Sequence, residues 1–262
     1  MRIARFVHPG GAAFGVVEGA PDAPLDALTI GEIEGHPFGQ IVFTGQRWAL
    51  PDVRLLSPIL PSKVVCVGRN YAAHAAELGN EVPSAPLLFL KPSTAVIGPA
   101  DAIRLPLDSN RVEHEAELAV VIGATGARDV PKERALDAVL GYTCANYVTA
   151  RDQQKSDVQF TRAKGHDSFC PLGPWIETTL DPGDLGVRCE VDGELRQDGR
   201  TKDFIFDVAT LVSYISHVMT LLPGDVILTG TPAGVGPLAA GQQVSVTIDG
   251  VGTLTNPVVN RA

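Results

Sequence analysis

The chain has 262 residues, of which 45% are hydrophobic, 19% charged and 6% aromatic. It is therefore long and apolar enough to bury a sizeable, mostly aliphatic core and is not a disordered polymer. Acids outnumber bases 30 to 21, a formal charge of −9, which excludes the basic footprint of a nucleic-acid binder; the 27 Gly and 20 Pro imply many tight turns but follow no collagen period. Residues 2–7 read as a strand, His8-Pro9-Gly10-Gly11 as a turn and 12–18 as a second strand. A Pro/Gly-spotted stretch follows over 19–45, and 51–62, with prolines at 51, 58 and 61, reads as a linker. This divides the chain into a small N-terminal β-rich domain, 1–57, and a main domain, 58–262. The main domain opens with an apolar strand at 63–67, then Gly68-Arg69-Asn70 and a short helix over 71–78 ended by Gly79. A strand at 87–91 and a continuous apolar run at 118–122 (LAVVI), a buried strand, come next. Residues 131–140 suit a helix, with Pro at its start and Gly just after it.

The clearest helix is 207–222, where Val208, Leu211, Val212, Ile215, Val218, Met219 and Leu222 recur at spacings of three and four and Asp207 caps the start. Strands follow at 226–228, 244–248 and 253–255. Asp192-Gly193, Asp198-Gly199 and Asp249-Gly250 are hairpin signals. Short strands dominate and helices are few, so the expected class is α+β, mainly β, with peripheral helices. No segment reaches the roughly 18 apolar residues of a spanning helix, and MRIARFVHPGG lacks the apolar core of a signal peptide. The four cysteines fall singly and read as small core residues, not as a disulfide framework, a zinc site or nucleophiles. A soluble cytoplasmic protein with no membrane partner is expected.

Three segments carry candidate chemistry. Glu113-His114-Glu115-Ala116-Glu117 leads into LAVVI, and on a strand residues 113, 115 and 117 share a face while His114 takes the other. Acids so placed at the mouth of a buried strand call for a hard cation, basic side chains or solvent; an exposed strand edge reads the same way. His74 and Glu77, at i and i+3 on a helix, share a face. The carboxylate there orients the imidazole as a general base, or the two form an ordinary surface pair. Thr229-Gly230-Thr231-Pro232-Ala233-Gly234 follows a strand and exposes N–H groups and hydroxyls. It is no Walker loop, since no Gly-Lys-Ser/Thr follows, and alone it is a turn cluster. Lys91, Arg151 and Lys164 are the nearby bases, each either a partner for a substrate carboxylate or a surface charge.

The order of these motifs is more specific than any one of them. GRNYAAHAAE (68–77), FLKPS (89–93), EHEAEL (113–118), GYT (141–143), TARD (149–152), KGHD (164–167), PLGPW (171–175) and TGTP (229–232) closely resemble the fumarylacetoacetate hydrolase family over roughly residues 60–258. The resemblance implies a mixed β-roll/β-sandwich, usually a homodimer, with Mg²⁺ or Mn²⁺ in each site. Residue by residue, it implies that Glu115 and Glu117 are metal carboxylates and His74 and Glu77 the general-base dyad. Lys164 then stands beside the metal, Thr231 touches substrate, and Arg151 and Gln154 line the pocket.

The implied activity is hydrolytic C–C cleavage of an acylpyruvate-type 2-oxo acid through a metal-stabilised enolate. Isomerisation of 2-hydroxyhepta-2,4-diene-1,7-dioate, from aromatic breakdown, and decarboxylation of oxaloacetate run on the same site. One position departs. The family has an Asp in Asn-Asp-Val-Thr-Ala-Arg-Asp, and here Tyr147 stands in its place. A neutral phenol is a poor Mg²⁺ ligand. Three outcomes are open: weaker metal binding through Glu115, Glu117 and water, another oxygen in the Asp's place, or loss of the chemistry, leaving a binding protein for an anionic metabolite. Weakened or altered metal binding is the expectation, since the other motif positions are intact.

Overall fold

The computed structural model describes residues 1–20, 23–77 and 79–261. Among them strands dominate, as the sequence predicts. A 12-stranded sheet runs, neighbour to neighbour, through Phe43–Ala49, Thr29–Ile33, Gly11–Glu18, Arg2–His8, Cys170–Glu177, Val139–Asn146, Ala116–Ile122, Val226–Leu228, Val64–Gly68 and Leu87–Lys91. Arg54–Leu56 and Val96–Ile97 branch from it. A five-stranded sheet (Glu194–Arg200, Gly186–Val191, Gln243–Ile248, Gly252–Asn260, Ile103–Leu105) packs beside it, and a three-stranded one (Thr149–Ala150, Val112–His114, Gly236–Pro237) lies near the site.

The LAVVI run explains itself in Ala116–Ile122. Leu118, Val120 and Ile122 enter the larger apolar core, while Ala119 and Val121, on the other face, enter a second core that also holds Val64, Cys66, Cys170 and Tyr147. A strand covered on both faces loses the alternation of a half-exposed one. All four cysteines are free and buried.

Several boundaries differ from the sequence expectation, each for a tertiary reason. Residues 131–140 form no α-helix: Lys132–Ala138 is a 3-10 segment, and Val139 onward is taken as a strand beside Ala116–Ile122. The long helix is Val208–Val218, capped by Asp207, whose carboxylate accepts from Thr210 N at 2.7 Å. It stops short of 222 because Met219 is extended and Leu221 exchanges backbone hydrogen bonds with Ala127. The 19–45 stretch contributes Thr29–Ile33 and part of Phe43–Ala49, and the linker region contributes Arg54–Leu56, paired with Arg2–His8. Asp192-Gly193 is a hairpin turn with both residues at positive φ (53° and 78°), the arrangement of a type I′ turn.

Asp198-Gly199 is no turn; it lies inside Glu194–Arg200, paired with Arg188 and Val187. Glycine is needed at 199 because an added Cβ would stand 2.5 Å from Pro232 Cβ. The N-terminal strands continue the main sheet, with Ile3 opposite Ile176.

Candidate active site

Sheet topology brings the motifs to one place. Val226–Leu228 lies parallel to Val64–Gly68, so the segments that leave them, 229–234 and 69–77, emerge at the same end. Ala116–Ile122 runs antiparallel to Val226–Leu228, which puts its start, and with it Glu115 and Glu117, at that end. Val139–Asn146 is antiparallel in turn, so Tyr147 leaves the sheet there too. Arg69, at φ +59°, turns the chain out of its strand, an unusual conformation for a side chain this large. The resulting cavity, of about 70 Å³, is lined by His74, Glu115, Glu117, Arg151, Gln154, Lys164 and Thr231 together with Tyr147, Arg69 and Phe160. Seven of the eight site residues named from sequence thus share one cavity wall, and Glu77 reaches it through His74.

His74 sits on the helix Ala72–Glu77 and is buried. Its Nδ1 is 3.2 Å from Glu77 Oε2, and the other carboxylate oxygen accepts from Gly234 N at 3.0 Å. The pair therefore joins a buried imidazole to a partly exposed carboxylate. The pairing selects the Nδ1–H tautomer and leaves Nε2 as an acceptor.

Side-chain hydrogen bonds hold the 229–234 loop in place. Asn70 Nδ2 donates to Thr229 O (2.7 Å) and Phe206 O (3.0 Å), while its Oδ1 accepts from Phe206 N (2.8 Å). Gly230 is required by geometry: φ is +101° and an added Cβ would lie 2.7 Å from Asn70 Cβ. Thr231 Oγ1 donates to Ala116 O at 2.8 Å and accepts from Gln197 Nε2 at 2.7 Å. Its only proton is thus committed to the protein, and it can offer a ligand acceptance alone.

The acids are buried, at 2%, 5% and 3% exposure for Glu113, Glu115 and Glu117, which removes the solvated strand edge. Of the three ways to offset their charge, basic side chains hold two of them. Arg151 donates through Nε to Glu113 (2.6 Å), through one terminal nitrogen to Glu115 (2.6 Å) and through the other to Gln154 (2.5 Å). Burial raises the Glu113 and Glu115 carboxyls, but the Arg151 guanidinium outweighs it and both titrate below the ordinary range. Glu117 goes the other way. Burial and then the Glu115 charge push it up to about 8, against the Gly230 N–H that its Oε2 accepts at 2.7 Å. Two adjacent carboxylates with unlike environments thus separate into one charged and one proton-holding member.

Lys164 Nζ donates to Thr149 Oγ1 (3.1 Å), and burial lowers its pKa despite Glu115 nearby. Lys91, also buried, donates to Val148 O (2.8 Å) and Lys164 O (2.6 Å), and burial brings it down to about 8.

Tyr147 decides whether this donor set suits a divalent cation. Its ring lies 4.2 Å from Lys91 Nζ and 4.4 Å from Lys164 Nζ, close cation–π contacts. Its hydroxyl is buried and has no hydrogen-bond partner among the described residues. A hard dication wants charged oxygens. Here a neutral phenol stands where a third carboxylate would, Glu115 is bound by Arg151, and two ammoniums face the ring. No group of three or more His, Cys, Asp and Glu suited to a metal occurs among the described residues. The residues do not fit the Mg²⁺ or Mn²⁺ that the resemblance implies.

Sequence reasoning gave no role to Gln197 or to Asn70, the residues that anchor the 229–234 loop; Asn70 lies inside the GRNYAAHAAE motif, but both act across more than 30 residues. His114 points away from the acids, toward Gln197 (3.1 Å) and Cys189 (3.3 Å). His166 binds Gln153 (2.8 Å) and lines a separate surface pocket. His217 is exposed on the long helix. No helix among the described residues is long and apolar enough to cross a membrane.

Comparison with known proteins identifies the family. Residues 63–259 match the fumarylacetoacetate (FAA) hydrolase C-terminal family and residues 1–58 the Rv2993c-like N-terminal family. The structure of 2-hydroxyhepta-2,4-diene-1,7-dioate isomerase from Mycobacterium marinum is 56% identical, covers 100% of this chain and 99% of that one, and superposes with a TM-score of 0.93. Oxaloacetate tautomerase FAHD1 of Arabidopsis thaliana is 48% identical over 206 residues, 76% of this chain and 92% of its own. Fumarylpyruvate hydrolase from Pseudomonas aeruginosa, solved with Mn²⁺ and pyruvate, is 35% identical, covers 76% of this chain and 90% of that one, and has a TM-score of 0.72. The chain belongs to the fumarylacetoacetate hydrolase family of enzymes.

Proposed function

We propose that the chain catalyses proton transfer at the carbon next to the carbonyl of a short 2-oxo acid or dicarboxylate, an oxaloacetate-like compound, interconverting keto and enol forms. The observation that carries this is His74, buried on the cavity wall, tied through Nδ1 to Glu77 and facing a pocket that also holds Lys164 and Arg151. In the tautomer set by Glu77, Nε2 accepts the C3 proton and returns it to the other end of the enol system. The Lys164 and Arg151 charges lower the cost of the enolate that forms, and the 229–234 loop and Gln154 close the pocket around the remaining oxygens. The cavity, of about 70 Å³, holds a handful of waters or one small acid, since one water needs about 10–15 Å³. That size favours a short substrate.

Similarity to a protein named as an oxaloacetate tautomerase supports this reading, beside relatives named as an isomerase and a hydrolase. C–C cleavage of an acylpyruvate is the second reading, favoured by a His–Glu pair of the sort that activates water. The reading is tested by NMR of oxaloacetate or pyruvate in deuterated buffer. We expect deuterium at C3 well above the buffer rate, lost in His74→Ala. A wild-type rate equal to buffer refutes it.

We also propose that residues 1–57, which match a family model of their own over 1–58, are a module added to the edge of the main sheet, and that the chain forms a homodimer through the apolar groove next to the cavity. Leu87, Leu90, Phe160 and Val218 line that groove, with Val158 95% exposed at it. Light scattering on the wild type and on Val158→Glu tests the dimer.

A further inference from the structure

The donors around Tyr147 outnumber what the protein uses. Lys164 has three N–H groups and donates one, to Thr149, among the described residues. Arg151 has five and donates three, leaving one on each terminal nitrogen. Tyr147 is 2% exposed and lines the same cavity, and its buried hydroxyl donates to nothing described. A buried hydroxyl left unpaired costs about 1–3 kcal/mol, and such a group on a cavity-lining residue calls for a partner that the described residues do not supply. The charge balance points the same way. Arg69, Arg151 and Lys164 line the cavity and Lys91 stands against the Tyr147 ring, four bases against the three buried acids Glu113, Glu115 and Glu117, so the pocket already favours an anion.

We propose that this site binds its 2-oxo acid without a divalent cation, the Tyr147 hydroxyl and the free N–H groups of Lys164 and Arg151 taking the carboxylate and 2-oxo oxygens that a cation would chelate. The proposal rests on the reading of the site as a 2-oxo-acid pocket. It assigns Tyr147 a direct role: a preorganised donor at the oxygen where enolate charge develops. The two ammoniums beside the ring hold that ring in place by cation–π attraction. Replacing an acid by a phenol thus removes one negative charge and adds one donor, and both changes suit direct anion binding.

The test uses the full chain dialysed against EDTA, with oxalate, a planar dianion resembling the enolate, as probe. Calorimetric titration should give the same oxalate affinity in EDTA and in excess Mn²⁺. Electron paramagnetic resonance should show that free Mn²⁺ is not depleted by the protein. Tyr147→Phe should weaken oxalate about tenfold or more, the loss of one hydrogen bond to a charged group, with an unchanged melting profile. Tyr147→Asp should gain stoichiometric Mn²⁺ binding. Oxalate binding that requires Mn²⁺, or depletion of Mn²⁺ by the wild type, overturns the proposal and leaves the proposed function standing. Unchanged affinity in Tyr147→Phe overturns the role of the hydroxyl. Absence of oxalate binding in both conditions overturns the 2-oxo-acid pocket and this proposal with it. The wild-type measurements decide the cation question even if a variant fails to fold.

Discussion

Glu117→Gln should change how stability depends on pH far more than it changes stability at any one acidic pH. Glu117 is buried and its carboxyl is raised from 4.5 to about 8. A group whose folded pKa lies above its unfolded value holds its proton more tightly in the native state, so its contribution is full below pH 4.5 and is lost as pH rises through 8. By pH 8 the unfolded chain has released this proton almost completely, whereas the native chain has released it by about half. At 1.36 kcal/mol per unit, the wild type should lose roughly 3 kcal/mol over that interval from this residue alone.

Glutamine keeps the shape and an oxygen for the Gly230 N–H but does not titrate. The gap between the two proteins should therefore move by roughly 3 kcal/mol in favour of the variant from pH 5 to pH 8. Glu115 adds little to the slope there, because its pKa is already below the ordinary range in the native state. Urea unfolding at four pH values across the interval, with m-values checked for constancy, reads the effect. Parallel stability–pH curves for the two proteins would refute the assignment of the proton to Glu117.

Other consequences are equally direct. Asp225, fully buried, accepts from the backbone N–H groups of Ser62, Lys63 and Leu222 and from the side chains of Ser62 and Lys63. Asp225→Ala should cost about 3–5 kcal/mol, seen as a lower urea midpoint. Asn70→Ala leaves Phe206 N and two carbonyls without their partner, and should cost about 2–3 kcal/mol and lower turnover through the loosened Thr229 loop. Glu77→Ala releases His74 from its tautomer; kcat should fall about 10²-fold while oxalate affinity measured by calorimetry stays within a factor of about two.

Much of the candidate site was legible because short local patterns, each ambiguous alone, recur in the order of one family. The His74–Glu77 spacing, the acids before LAVVI and the TGTP turn are each short-range patterns, and all eight named residues lie in the cavity or one contact away. The fold class was legible from many short strands. The boundaries were not, because pairing partners far along the chain set them: Val139 is drawn into a strand by Ala116–Ile122, and Leu221 out of a helix by Ala127. Convergence of the motifs was not legible either, since it depends on the parallel pairing of Val64–Gly68 with Val226–Leu228, about 160 residues apart. Nor was the role of Gln197, which joins His114, Ala116, Thr231 and Pro232. Tyr147 stood out in sequence as a departure, but its contact with both lysines is a property of the folded chain.

The Glu77 carboxylate has two occupations: one oxygen faces His74 and the other faces Gly234 of the 229–234 loop. The loop cannot swing outward without giving up that bond, and Glu77, one-third exposed at the helix end, is then free to rotate away from the imidazole. One carboxylate thus sets both the position of the loop and the alignment of the imidazole, so a change that frees the loop also frees the base.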